Sequence, residues 1–228
     1  MNDGRSPPAL ELEGLERRHG ERFALRGVSL RLEGGRTLVV FGANGAGKTT
    51  LLRVLAGLLR PHGGRTRVLG AELPGESWKV HGQVGYVGHD PLLYRDLTGR
   101  ENLRYHARLH SLPEERVREA LDAVGMEPRA DEPLRDLSRG MVQRLAVARA
   151  VLHLPPLLLL DEPWAHLDPA ADARLGRVIG HASGCTRVLV THDVERGLAE
   201  ADLVLGLKAG RQAFFGEPDS AQVRELYL

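Results

Sequence analysis

The chain is poor in several things at once. Its 228 residues include one cysteine, Cys185, so no internal disulfide can form and a disulfide-built secreted scaffold is excluded. A solitary thiol with no motif around it reads as small filler, not as a nucleophile, and a cytosolic chain is the natural reading. Neither sign of charge dominates: 31 Lys and Arg face 30 Asp and Glu, a formal net charge of +1. No field strong enough to attract nucleic acid follows, and no nucleic-acid partner is expected. No apolar run approaches the ~20 residues of a membrane-spanning helix, so any membrane role is that of a peripheral subunit. There is no internal repeat, no heptad run and no Cys-x-x-Cys-His. His106, His110, His153 and His181 form no metal-ligand pattern and read as surface or helix filler. The first eight residues are polar with two prolines and read as a short disordered lead, not a signal peptide.

What is present begins with Gly42-Ala43-Asn44-Gly45-Ala46-Gly47-Lys48-Thr49-Thr50. It fits the phosphate-binding pattern G-x-x-x-x-G-K-[ST] in full. An apolar run, Leu38-Val39-Val40-Phe41, enters it and a helical pattern over 49–58 leaves it, which is the strand–loop–helix context the motif requires. Glycines let backbone N–H groups turn inward around an anion, and the helix N-terminus adds its positive end. Lys48 reaches toward the β- and γ-phosphates of a nucleotide, and the Thr49 hydroxyl suits Mg²⁺. A second apolar run, Leu157-Leu158-Leu159-Leu160, reads as a strand buried on both faces and ends in Asp161-Glu162-Pro163. Asp161 suits the Mg²⁺ shell, and Glu162, one residue on, can face a water that attacks the γ-phosphate.

Around these motifs the pattern predicts strands over 10–15, 24–32, 37–41, 65–69, 84–87, 157–160, 187–190 and 202–207. It predicts helices over 101–109, opened by the capping box Thr98-Gly99-Arg100-Glu101, and over 114–124. Ser138 is the N-cap of a helix to residue 152, and further helices cover 170–181 and 194–201. The expected architecture is an α/β nucleotide-binding core, one domain over 1–228, around a helical block inserted at 91–154.

Five short segments in order then resemble an ABC-type ATPase subunit over almost the entire chain. Beside the two Walker motifs stands Leu137-Ser138-Arg139-Gly140-Met141, in the place of the family's L-S-G-G-Q signature. Ala165-His166-Leu167-Asp168 is similar to the D-loop, and Val190-Thr191-His192-Asp193 to the switch-histidine segment. The resemblance implies an α/β P-loop NTPase fold with a RecA-like core, an N-terminal antiparallel β subdomain and an inserted α-helical subdomain. It implies ATP with Mg²⁺, a head-to-tail homodimer with two sandwiched nucleotides, transmembrane permease partners, and a peripheral place at the cytoplasmic face of the inner membrane. It places Ser138 and Gly140 on the partner's nucleotide, Asp168 at the seam, and His192 on the γ-phosphate beside Glu162 and its water.

Three positions depart from the family pattern. His89 stands where the Q-loop glutamine, a Mg²⁺ contact, is usual; Arg139 and Met141 replace a glycine and the glutamine of the signature; His19 stands where an aromatic residue stacks on adenine, with Phe23 nearby. The run Tyr86-Val87-Gly88-His89-Asp90-Pro91, with Leu97-Thr98-Gly99-Arg100-Glu101-Asn102-Leu103-Arg104, resembles the ATP-binding subunit of the haem exporter of cytochrome c maturation. A generic drug or lipid exporter is the alternative, and a soluble ABC-type ATPase a more distant one.

Overall fold

The computed structural model describes residues 7–227, so the N-terminal lead inferred from the sequence falls largely outside the described residues. In chain order the elements are β1 (Leu10–His19), β2 (Arg22–Leu32), β3 (Thr37–Phe41), α1 (Lys48–Leu55), β4 (Gly63–Val68), β5 (Ala71–Leu73), α2 (Ser77–His81), β6 (Val84–Val87), α3 (Gly99–Leu109), α4 (Glu114–Ala123), α5 (Arg139–Val151), β7 (Leu157–Asp161), α6 (Pro169–Ile179), β8 (Thr186–Val190), α7 (Val194–Glu200), β9 (Leu203–Lys208), β10 (Arg211–Gly216) and α8 (Ser220–Glu225). They fall into two compact units. One comprises the described residues of Met1–His81 and Gly184–Leu228, the other Gly82–Ser183.

In the first unit an antiparallel sheet runs in the order β2-β1-β4-β5. The β1–β2 ladder alternates buried leucines and valines with exposed charge, as a sheet wet on one face must. In a second set of strands β3 pairs in parallel with both β8 and β9, and β9 turns back antiparallel into β10. All five residues of β3 and of β8 are buried, which explains the uninterrupted apolar run of β3. Burial of each such side chain contributes roughly 1.5–3 kcal/mol. The β9–β10 turn uses Ala209 and Gly210, both at positive φ (50° and 78°), the geometry a two-residue hairpin needs.

One buried charge organises this unit. Arg187, the second residue of β8, has 0% of its surface exposed and lies beside Thr37, its register partner on β3. Its guanidinium donates to Thr37 Oγ1 at 2.7 and 3.1 Å and to Glu200 Oε2 at 2.7 Å. Glu200 ends α7, so the pair ties that helix to the starts of both strands.

In the second unit β6 and β7 form a parallel pair, accompanied by α3, α4, α5 and α6. The expected capping box is present: Thr98 Oγ1 accepts from Glu101 N at 3.1 Å, and Glu101 Oε2 accepts from Thr98 N at 2.8 Å. Gly85 of β6 lets α5 lie against it; a Cβ there would meet the Ala150 carbonyl at 2.3 Å. Arg149 of α5 is largely buried and donates to the Tyr86 carbonyl at 2.5 Å; burial lowers its pKa to about 10.

Candidate nucleotide site

The phosphate loop grows directly out of β3. Gly42 has φ 152°, and a Cβ there would meet the Leu207 carbonyl at 2.3 Å; Gly47 has φ 105°, and a Cβ there would meet the Ala24 carbonyl at 2.5 Å. Only glycine fits these two positions, because the loop is wedged between β9 on one side and β2 on the other. Ala46 N donates to Ala43 O at 3.1 Å and closes the turn around Asn44 and Gly45. Gly47 is the N-cap of α1 and brings no side-chain cap. The first-turn N–H groups of α1 thus have no side chain from the N-cap residue and are suited to an anion. Lys48 is 7% exposed, and its Nζ donates to Gly42 O at 2.6 Å and Ala43 O at 3.1 Å. The ammonium therefore already lies across the loop. Thr49 and Thr50 are half-buried in the first turn of α1.

The β3–β8 register pairs Val40 with Val190, so the two strands deliver Gly42 and Thr191-His192 to the same end of the sheet. His192 is exposed there. Asp193, next to it, caps α7 by accepting from Arg196 N at 3.0 Å. Gly197 lets α7 close on β3; a Cβ would meet the Phe41 ring at 2.5 Å. His19 stands exposed at the tip of the β1–β2 hairpin, facing Arg22 across the ladder. Phe23, the other aromatic candidate, already carries two guanidinium groups, Arg18 at 4.1 Å and Arg26 at 4.9 Å from its ring centroid.

The acidic candidates belong to the second unit. The β6–β7 register pairs Val87 with Leu160, so Gly88-His89 and Asp161-Glu162 leave the strands at one end. Asp161 is 8% exposed and Glu162 half-buried, while His89 is exposed. The loop after His89 is pinned by Asn102, which is fully buried. Its side chain accepts from Tyr94 N at 2.7 Å and donates to Tyr94 O at 3.0 Å and Thr98 O at 2.9 Å. A buried Asn inside a helix is the trace this leaves in the sequence.

Ser138 caps α5: its hydroxyl accepts from Met141 N at 3.3 Å. Gly140 has a packing duty that its place in a signature motif conceals. A Cβ there would meet the His166 carbonyl at 2.6 Å, so α5 rests directly on the backbone of the 161–168 loop. Asp168 caps α6 by accepting from Ala170 N at 3.0 Å and Ala171 N at 2.9 Å. Those bonds, Ala171 first, hold its carboxyl below the usual range.

Among the described residues no group of three His, Cys, Asp or Glu could hold a metal ion. Mg²⁺ takes one or two protein oxygens and fills its shell with phosphates and water. The Thr49 hydroxyl and the Asp161 carboxylate are hard oxygen donors of that kind. The histidines expected as filler are a correction in part. His110 and His153 stack at 4.2 Å with 7° between planes, and His106 lies edge-on to Tyr105 at 5.3 Å. Burial, then the charge of Arg149, lowers the His106 pKa to about 4; burial, then His110, does the same to His153.

The family model for the ABC transporter matches residues 25–165. The chain belongs to this family. It is 36% identical over 97% of its length to a Nod factor export ATP-binding protein of Ralstonia nicotianae, covering 71% of that protein. It is 36% identical over 96% of its length to an Fe(3+) ion import ATP-binding protein of Rhodococcus jostii, of which it spans 64%. A daunorubicin resistance ATP-binding protein of Streptomyces coeruleorubidus is 36% identical over 92% of this chain and 69% of that protein. Among solved structures, an ATP-binding subunit of an ABC transporter superposes with TM-score 0.86 at 29% identity, covering 96% of this chain and 98% of that one. A dimeric ATP-binding cassette in a post-hydrolysis state, bound to ADP and Pi, gives 0.81 at 25% identity over 91% of this chain and 98% of that one. The chain is thus an ATP-binding subunit of an ABC transporter, with ATP and Mg²⁺ as its nucleotide and ion. Subunits of this family dimerise and act with transmembrane permeases. No helix among the described residues is long and apolar enough to cross a membrane.

Proposed function

We propose that this chain is the ATP-hydrolysing subunit of an exporter, with haem destined for c-type cytochromes as its cargo. In this reading Lys48 turns from the Gly42 and Ala43 carbonyls to β- and γ-phosphate oxygens, so that its ammonium meets anionic acceptors in place of neutral ones. Amides of the 42–50 loop, with the Asn44, Gly45, Ala46 and Thr50 positions, cradle the phosphates. Thr49 and Asp161 would hold Mg²⁺, with His89 a further donor from the β6 exit, and the ion would neutralise charge on the phosphates. Glu162 takes a proton from the attacking water, whose oxygen bonds to the γ-phosphorus as the bond to the ADP oxygen breaks. His192 orients that water and the γ-phosphate. His19 rests on the base. Ser138 and Gly140 close over the nucleotide of a second copy placed head to tail, and Asp168 lines the seam. Binding of two ATP molecules closes the pair and hydrolysis reopens it, a two-state cycle that the γ-phosphate controls. The subunit sits peripherally at the cytoplasmic face of the inner membrane, and its helical insertion at 91–154 carries the signature.

The observation that carries the cargo reading is the β6 exit. By its resemblance Gly88-His89 stands where the Q-loop is expected, and the loop that follows is locked onto Asn102. A drug or lipid exporter is the second reading, favoured by the Nod factor and daunorubicin relatives.

Two experiments test the halves of the proposal. Glu162→Gln should bind ATP, lose hydrolysis by roughly 10²–10⁴-fold and accumulate as an ATP-bound dimer in size-exclusion chromatography. Near-normal turnover would remove Glu162 from the mechanism. For cargo, a deletion strain carrying only Lys48→Ala should lose covalent haem attachment to c-type cytochromes and keep its b-type haem proteins. A full set of c-type cytochromes together with a new drug or lipid sensitivity would replace haem with the second reading.

A further inference from the structure

Glu162 and His166 are both non-glycine residues in left-handed backbone, at φ 49° and 65°. Such residues are strained and persist only where their surroundings over-determine them. Glu162 also precedes Pro163, and the residue before proline favours extended backbone. The loop supplies part of the restraint itself, since Ala165 N donates to Glu162 O at 3.1 Å. The rest comes from α5. Gln143 Nε2 donates to the Pro163 carbonyl at 3.2 Å, and Pro163 is buried. One turn earlier, Gly140 lies against the His166 carbonyl so closely that no Cβ fits. Residues three apart share a face of a helix, so one face of α5 grips the strained loop at both ends.

We propose that Gln143 is a positioning residue for the hydrolytic step: by holding the Pro163 carbonyl it fixes the backbone that aims Glu162. The inference rests on the reading of Glu162 as the base. It makes the first two turns of α5 a lever within one chain. Whatever engages Ser138 and Gly140 at one end of the lever sets the aim of the carboxylate at the other. The two ATP sites of a dimer would then be coupled through each chain's own α5.

The test uses the full chain with ATP and Mg²⁺ and compares Gln143→Leu, Gln143→Glu, Glu162→Gln and the two doubles. Gln143→Leu removes the donor; Gln143→Glu keeps the shape and puts an acceptor against the carbonyl. Each should lower kcat about tenfold, the scale of one lost hydrogen bond. KM for ATP should stay within about twofold and Tm within a few degrees, a split that lost packing would not give. On the Glu162→Gln background neither should lower the residual single-turnover rate further, because the group being aimed is gone. Unchanged kcat in both variants would overturn the inference, as would an equal fractional loss on both backgrounds or a fall in Tm in step with kcat. Normal turnover in Glu162→Gln alone would instead defeat the reading of the base, a result distinct from any of these.

Discussion

Removing Glu200 should destabilise the first unit far more than its place near the end of a surface helix suggests. Arg187 has no exposed surface, and Glu200 is its anionic partner at 2.7 Å, with 19% of its own side chain exposed. Glu200→Ala leaves the guanidinium buried with the Thr37 hydroxyl, a neutral acceptor, still bonded to it. Breaking a buried pair from one side costs about 3–5 kcal/mol, and the partial access of water at Glu200 argues for the lower end, about 3 kcal/mol. At the ~2–4 °C per kcal/mol expected for a chain of this length, Tm should fall by roughly 6–12 °C. The double variant Arg187→Met with Glu200→Ala should recover much of that loss, since the buried guanidinium is then gone together with its carboxylate. ATP affinity should follow stability across the cycle, falling in Glu200→Ala and rising again in the double, because the buried guanidinium lies at the starts of the strands that lead toward Gly42 and His192. Urea unfolding of the four-member cycle measures it. A cost below about 1 kcal/mol for Glu200→Ala, or a double as unstable as the sum of the singles, would refute the assignment of the buried charge.

Further outcomes follow from the same structure. Lys48→Ala should abolish ATP binding measured by calorimetry, because no other cation is placed by the motif to meet the β- and γ-phosphates. Gly140→Ala should force the His166 carbonyl back by about 0.4 Å, from 2.6 to the 3.0 Å that real Cβ contacts respect. Overpacking of that kind costs about 1–3 kcal/mol in urea titrations and should also slow hydrolysis. Stability should depend on mild acid. His106 and His153 stay neutral in the fold down to about pH 4, whereas in the unfolded chain they titrate near 6.5. The unfolded state therefore binds more protons between those values, so stability is full above pH 6.5 and is lost as pH falls toward 4. His153→Phe, which keeps an aromatic ring on His110, should lose less between pH 7 and 5 in the same unfolding assay.

Much of this molecule was legible in its sequence because the signals are local. The phosphate loop needs glycines at fixed spacing between a strand and a helix, and β3 and β6 begin and end where their patterns place them. Thr98 with Glu101, and Ser138 alone, cap their helices by bonds that span three residues. What the sequence did not show depends on partners far along the chain. β5, β10 and α8 lack a strong period of their own; β10 exists because β9 offers it an edge. Arg187 reads as an ordinary polar residue near the start of a strand until Thr37 and Glu200, 150 and 13 positions away, enclose it. His106, His110 and His153 become a half-buried cluster only when α3 meets the end of α5. Gly140 is a signature glycine in the sequence, and the need for it as a point of contact with His166 appears only in three dimensions. Local backbone geometry and capping are written within a few residues and survive in any context. Burial, and the shifts in charge it causes, are properties of surfaces that meet only once the chain is folded.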